Sequence, residues 1–303
     1  MAEEEEPGEL RRFLLDAYPV RGHWVQLGEA WPAMRAYRDY PAVVQTLLGE
    51  AATAAVLLAA TLKFDGQLTL QLSGNGRMRL LVAQCGRDFE VRAVAHHDLE
   101  RNEFVPFDEL IGDGQLVVTL DSQPGGARYQ GVVQLEGRGL AECLEKYFAE
   151  SEQLPTRLLL YADAGRAAGL LLQKLPAASE GGEAEAARAE QVWEELQAGL
   201  EGLQTEVLSE GTVEEAIHEV FGPHDCRLFE GDEVRFGCRC NVQRVGEVLR
   251  SLGEHDAREL LQEQGAITVT CEFCARPYRF DAIDVERLFA PAEAVTPGTG
   301  AIN

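Results

Sequence analysis

Hydrophobic and polar positions alternate with a period of two over several stretches of the first half of the chain. Leu68, Leu70 and Leu72 alternate with polar neighbours and run into Ser73-Gly74-Asn75-Gly76, a turn signal. Met78, Leu80 and Val82 run back, so this pattern predicts a hairpin, and Phe89, Val91 and Ala93 predict a third strand. Further strands are expected at 115–121 and 128–135, parted by the turn Gln123-Pro124-Gly125-Gly126, and at 157–162 and 168–174. Pro41 to Leu62 is apolar nearly all round, which predicts a central buried helix. A helix is also expected over 139–151, with Leu140, Leu144 and Tyr147 on one face. Helices set between runs of strands indicate an α+β fold, a mixed sheet with helices, for residues 1–178.

The pattern changes after Ala178-Ser179-Glu180-Gly181-Gly182, which reads as a linker. Residues 179–232 carry 15 Asp and Glu against two arginines, yet Val192, Leu196, Leu200, Leu203 and Val207 form an apolar stripe. That combination predicts amphipathic helix with a strongly acidic outer face, held only weakly by its own charge pairs. From 233 to about 290 the pattern is that of a small module. Asn241 is placed to cap a helix bearing Val242, Val245, Val248, Leu249 and Leu252, and Gly253 to end it. A short helix with Leu260 and Leu261 ends near Gly265. Ile267 and Val269 suggest a strand, Arg276 to Phe280 a returning strand, and Asp281 caps a last helix with Ile283, Val285, Leu288 and Phe289. The tail 291–303, rich in Pro, Gly and Thr, is expected to lie outside the module.

This module holds the chemistry. Cys238-Arg239-Cys240 and Cys271-Glu272-Phe273-Cys274 are two close pairs separated by 30 residues. Two pairs on tight turns, joined by a segment able to fold back, supply the donors of a tetrahedral zinc site, so Cys238, Cys240, Cys271 and Cys274 are expected to bind one zinc ion. Arg239, Arg244, Arg276 and Arg279 could offset the net charge of −2 of such a site. Cys85, Cys143 and Cys226 are scattered and receive no role.

Composition narrows the functions. The net charge of −24 argues against nucleic acid and anionic membranes as partners. The start, MAEEEEPGEL, has no secretory pattern, and the apolar run Ala51–Leu62 has 12 residues, too few to span a bilayer. Seven cysteines in that setting fit a reducing cytoplasm. No phosphate loop, dinucleotide fingerprint, nucleophile elbow or His-Glu metal helix is present, so an enzyme is not expected.

Taken together, the chain resembles the redox-regulated 33-kilodalton heat-shock chaperone family. The likeness rests on the cysteine spacing, on Arg250-Ser251-Leu252-Gly253, on Tyr40-Pro41 through Leu47-Leu48-Gly49-Glu50, on Ala59-Ala60-Thr61-Leu62-Lys63-Phe64-Asp65-Gly66 and on Leu70-Gln71. It implies an ATP-independent holdase of the stress response, resting when reduced and zinc-bound. Oxidants would form disulfides and release zinc, unfolding the C-terminal region, and the protein would bind unfolding client proteins, usually as a homodimer. Within that reading, pairing Cys238 with Cys240 and Cys271 with Cys274 closes only short loops, which constrain the chain too little to replace the metal. Cross-pairing, such as Cys238 with Cys271, would staple the module closed instead. The stripe Val192, Leu196, Leu200, Leu203 and Val207 is the candidate client-binding surface. A constitutive zinc-ribbon binding module and, less favoured, a thiol–disulfide oxidoreductase are the competing classes; in the latter a Cys-x-x-Cys should open a helix after a strand.

Overall fold

The computed structural model describes residues 6–62, 65–122, 128–176, 183–222 and 224–290. The expected turn 123–126, the linker start 178–182 and the tail from 291 lie outside the described residues. The chain divides into a unit ending at Cys238 and a second one beginning at Arg239.

The first unit is built on one mixed sheet. Its elements are β1 (Gly8–Leu15), β2 (Val20–Gln26), α1 (Ala30–Arg35), α2 (Ala42–Thr61), β3 (Gly66–Ser73), β4 (Met78–Gly86), β5 (Glu90–His97), α3 (Phe107–Ile111), β6 (Gln115–Ser122) and β7 (Arg128–Gln134). They continue with α4 (Leu140–Tyr147), a π-helical turn (Phe148–Glu152), β8 (Thr156–Ala162), β9 (Ala167–Lys174), α5 (Glu183–Gly202), α6 (Thr205–Glu210), α7 (Val213–Phe221), β10 (Cys226–Leu228) and β11 (Asp232–Phe236). The strand order is β7-β6-β3-β4-β5-β11-β1-β2-β9-β8, with β10 also on β1. The hairpin β3–β4 is the one expected from the leucine alternation, with Leu70 opposite Ala83. His96 and His97 end β5, where the Nδ1 of His97 accepts from the Leu99 amide at 3.2 Å. The expected helix 139–151 is α4 followed by the π-helical turn, which ends at Gln153 in the left-handed region at φ 53°.

Helix α2 is the centre of the first core. Fourteen of its twenty residues are buried, Val44, Leu48, Val56 and Leu57 completely. It is long and apolar enough to cross a membrane, but here its apolar surface is covered by the sheet and by Trp31. Gly49 allows that approach, because a Cβ there would stand 2.4 Å from the Cβ of Ala162 on β8.

The one ionisable residue of this apolar helix is Glu50. Burial pushes the Glu50 carboxyl up from 4.5 to about 7. The fold therefore holds a proton that the unfolded chain releases between these values. The contribution of Glu50 to stability is complete below the lower value, declines as pH rises through the window, and is lost above the upper one. Glu50→Gln cannot ionise. We expect it to raise Tm at pH 8, on the order of a few degrees, and to change it little at pH 4.5. A shift of equal size at both pH values in thermal melts contradicts this assignment.

The second unit contains α8 (Val242–Leu252), α9 (Glu254–Gln264), β12 (Ile267–Thr270), β13 (Pro277–Phe280) and α10 (Ala282–Phe289). Asn241 caps α8, accepting from the Arg244 amide, and Asp281 forms a capping box with Asp284 at the start of α10. The core is small: Val245, Leu249, Ala257, Ile267, Tyr278, Phe280 and Val285. The apolar stripe of α8 is narrower than the sequence suggests. Val242, Val248 and Leu252 are exposed, as is Ile283 on α10. Only the face through Val245, Gly246 and Leu249 turns inward, because Gly246 lets Leu288 pack close against the helix.

Candidate metal centre

The four cysteines come together. The Sγ atoms of Cys238, Cys240, Cys271 and Cys274 all lie within 4.8 Å of one another. Those of Cys240 and Cys274 are 3.4 Å apart. A tetrahedron with Zn–S bonds of about 2.3 Å has edges of about 3.8 Å, so the thiols converge at the scale a single zinc ion requires. The donor set, four soft sulfurs with no hard oxygen among them, fits zinc and not calcium or magnesium.

Local structure explains the convergence. Cys271 and Cys274 lie on the connection between the antiparallel strands β12 and β13. The Cys271 amide donates to the Arg276 carbonyl at 2.9 Å, and the Ala275 amide to the Cys271 carbonyl at 2.8 Å. The turn brings Ala275 to a φ of 51°, a left-handed conformation that costs a non-glycine residue about 1–2 kcal/mol. Cys240 stands two residues before α8, at the positive end of that helix. The Arg244 guanidinium donates to the Arg239 carbonyl at 2.9 Å and steadies the turn between the first two cysteines.

Two partners of the sulfurs were not legible in the sequence. The Tyr278 hydroxyl donates to the Cys240 Sγ at 3.0 Å, and this bond holds the phenol above its ordinary pKa. In the first unit, Arg92 Nη1 donates to the Cys238 Sγ at 3.6 Å. Arg276 is tuned by the site. Its hydrogen bond with Tyr278, and after it the negative charge of the Cys240 and Cys274 sulfurs, push its pKa upward. Arg279 instead acts on Asp281, whose carboxyl is held low first by the Asp284 amide.

The other cysteines differ in kind. Burial is the leading cause that pushes the thiols of Cys143 and Cys226 up to about 11, so neither is a ready thiolate. Cys85 is fully buried.

The acidic segment folds as α5, α6 and α7 over the outer face of β1, β2 and β9. Val192 and Leu196 are completely buried, Leu200 and Leu203 nearly so, and Val207 partly. They pack with Trp193, Leu208, Val220 and Phe221 against Phe13, Val20, Trp24, Leu170 and Leu172. Phe13 and Phe221 meet edge to face, with centroids 5.0 Å apart. Polar ties lie around the rim: Gln26 Nε2 donates to the carbonyls of Leu208 and Gly211, Arg157 Nε to Gln197 and Arg188 Nε to the Tyr18 hydroxyl, while Arg166 pairs with Glu210 and Lys174 with Glu190. Gly199 allows α5 to approach α7, since a Cβ there would lie 2.5 Å from the Val220 carbonyl.

The family model described as "Hsp33 protein" matches residues 8–281. A relative from Pseudomonas paraeruginosa named "33 kDa chaperonin" is 44% identical over 289 residues, covering 95% of this chain and 96% of its own. One of the same name from Pseudomonas putida is 41% identical over 285 residues, covering 92% and 93%. The crystal structure of the 33 kDa chaperonin from Thermotoga maritima superposes with a TM-score of 0.77 at 24% identity, over 93% of this chain and 97% of its own, and shares the fold.

Proposed function

The chain belongs to the Hsp33 family, and on that premise we propose that it is a redox-regulated, ATP-independent holdase and not an enzyme. The observation that carries the proposal is the convergence of four thiols, from two pairs distant in sequence, on one point. In this reading residues 1–178 are the core domain, 179–232 a helical linker and 233–290 the switch, and the protein works in the cytoplasm. A zinc ion held by Cys238, Cys240, Cys271 and Cys274 would crosslink the two halves of the switch and keep its sulfurs as thiolates.

Oxidation then acts on the ligands themselves. Forming Cys238–Cys240 and Cys271–Cys274 consumes four thiolates and releases four electrons. Two equivalents of a two-electron oxidant take them up, a peroxide with two protons leaving as two waters. The conversion removes all four donors, and with them the bound metal. Each new bond closes a very short loop, worth less than the ~3 kcal/mol of a 15-residue loop, and cannot replace a structural zinc worth ~10–16 kcal/mol. The switch unfolds, the linker loses its support, and apolar surface becomes available to unfolding proteins. The linker stripe supplies part of that surface, and a homodimer forms on oxidation.

One experiment tests the whole sequence. Zinc content, free thiols and suppression of client aggregation are measured on the same samples before and after peroxide at elevated temperature. We expect one zinc and reduced thiols in a resting protein, then zinc loss, two disulfides and suppression together. Peptide mapping should find Cys238–Cys240 and Cys271–Cys274. Mainly cross-paired bonds would contradict the opening mechanism, and suppression independent of redox state would leave a constitutive binding module in its place.

A further inference from the structure

The strand that leads into the first cysteine lies inside the sheet, not beside it. β11 separates β5 from β1 and, among the described residues, is the strand that links β7-β6-β3-β4-β5 to β1-β2-β9-β8. Its pairing is sparse for an interior strand. It is registered with β5 only through Arg235–Glu90 and Phe236–Val91, in parallel, and with β1 through Gly8–Val234, Glu9–Glu233 and Leu10–Asp232. By comparison β2 and β9 share seven registered pairs. The junction with β10 is also irregular. From Leu228 to Asp232 the chain advances four residues while β1 moves three, from Phe13 to Leu10, a one-residue bulge that weakens the ladder.

The last bonds of this strand reach the cysteine site. The Arg235 amide donates to the Phe89 carbonyl and the Gly237 amide to the Val91 carbonyl, each at 3.2 Å. The next residue is Cys238, whose sulfur accepts from Arg92, the residue after Val91 on β5. One end of β11 is thus fixed by the thiol cluster. At the other end Arg12 pairs with Asp232 at 2.5 Å, and Val234 between them is buried in the α2 core.

We infer that β11 is a removable strand: when Cys238 leaves the cluster β11 withdraws, and the facing edges of β5 and β1 become a docking slot for an extended segment of an unfolding polypeptide. This rests on the redox reading above and names a second client surface besides the linker. The chemistry of the slot is set by the strand that fills it here. Both walls present backbone amides and carbonyls that must be paired or hydrated, and such edges capture extended chain by main-chain hydrogen bonds. The floor accepts one aliphatic side chain where Val234 sits, with Phe236 packed beside it. Arg12 and Arg92 line the ends, so an acidic residue flanking the apolar one is favoured. Backbone pairing with one apolar anchor tolerates many sequences, which suits a receptor for unfolding proteins in general.

The test locks the strand in place. Glu9→Cys with Glu233→Cys joins a registered pair of β1 and β11. Its disulfide is formed first, and resting fold and zinc content are compared with the parent by circular dichroism and metal analysis. After oxidation we expect the locked protein to lose zinc as the parent does, while at least fivefold more of it is needed to halve aggregation of reduced, carboxymethylated α-lactalbumin. Hydrogen exchange of 8–10 and 90–92 should rise on oxidation in the parent and fall again with that client. A labelled peptide of residues 231–237 provides a readout on the unmodified chain, should the double variant fold poorly. It should bind the oxidised form at least tenfold more tightly than the reduced form and be displaced by the client. Full suppression by the locked protein, or equal peptide binding in both redox states, overturns the slot while leaving the redox switch standing. A parent without oxidation-dependent suppression overturns both. Peptide binding that abolishes the oxidised dimer but resists the client assigns the slot to β11 of a second copy, against this inference.

Discussion

Cys271→Ser should release the metal and unfold the second unit under fully reducing conditions. The reason is the relative size of two terms. The core of that unit is seven buried apolar side chains, of which one is an alanine and one a tyrosine bonded to a sulfur. A core of this size supplies at most ~3–5 kcal/mol. A structural zinc in a small module contributes ~10–16 kcal/mol. Serine at this position removes one soft donor from a four-sulfur set in which Sγ atoms stand within 4.8 Å of one another. The expected result is zinc below one-tenth of stoichiometry after dialysis, loss of amide protection across 239–290, and aggregation suppression without oxidant. Stoichiometric zinc at parental affinity in the purified variant would remove Cys271 from the ligand set. A zinc-free variant that keeps full protection would show that the module does not depend on metal for its fold.

Leu196→Asp should release the linker while leaving the thiol cluster intact. Leu196 is completely buried between α5 and the face of β1, β2 and β9. Truncating a buried leucine costs about 2–5 kcal/mol, and an unpaired carboxylate in the same place costs more. The segment has little to offset this, since 15 acids against two arginines oppose its helices, and its ion pairs to the sheet, such as Arg166–Glu210 and Lys174–Glu190, are exposed at the rim and contribute little. Amides of 187–222 should therefore lose most of their protection in the reduced protein, with one zinc retained. Suppression of aggregation should rise severalfold without oxidant, and added client should protect part of the segment again. Unchanged suppression with the linker fully released would mean that the stripe Val192, Leu196, Leu200, Leu203 and Val207 is a spacer, and that clients are held elsewhere.

Local signals in the chain were sufficient for some of this. A long apolar run marks α2, and two-residue alternation or short apolar runs bounded by turn residues mark β3 to β9, because each is long enough to show its own burial. The caps Asn241 and Asp281 act within four residues, and they appear in the structure with their bonds made. The cysteine spacing indicates a metal centre because each pair lies on one turn. β1 and β2 did not show in the same way. β1 is buried on both faces, Leu10 toward α2 and Phe13 and Leu15 toward the linker, so its pattern never settles into alternation.

What the sequence determined by itself was the α+β class, the acidic amphipathic helices and the four thiols, each a property of neighbouring residues. Tertiary structure decided which surface covers the linker stripe, that Tyr278 and Arg92 bond the sulfurs, and that Asp232–Phe236 sits between two strands more than 130 residues earlier in the chain. These depend on contacts between distant segments. Such contacts form only after the chain has closed long loops, and a five-residue strand with one buried valine carries no local mark of its neighbours.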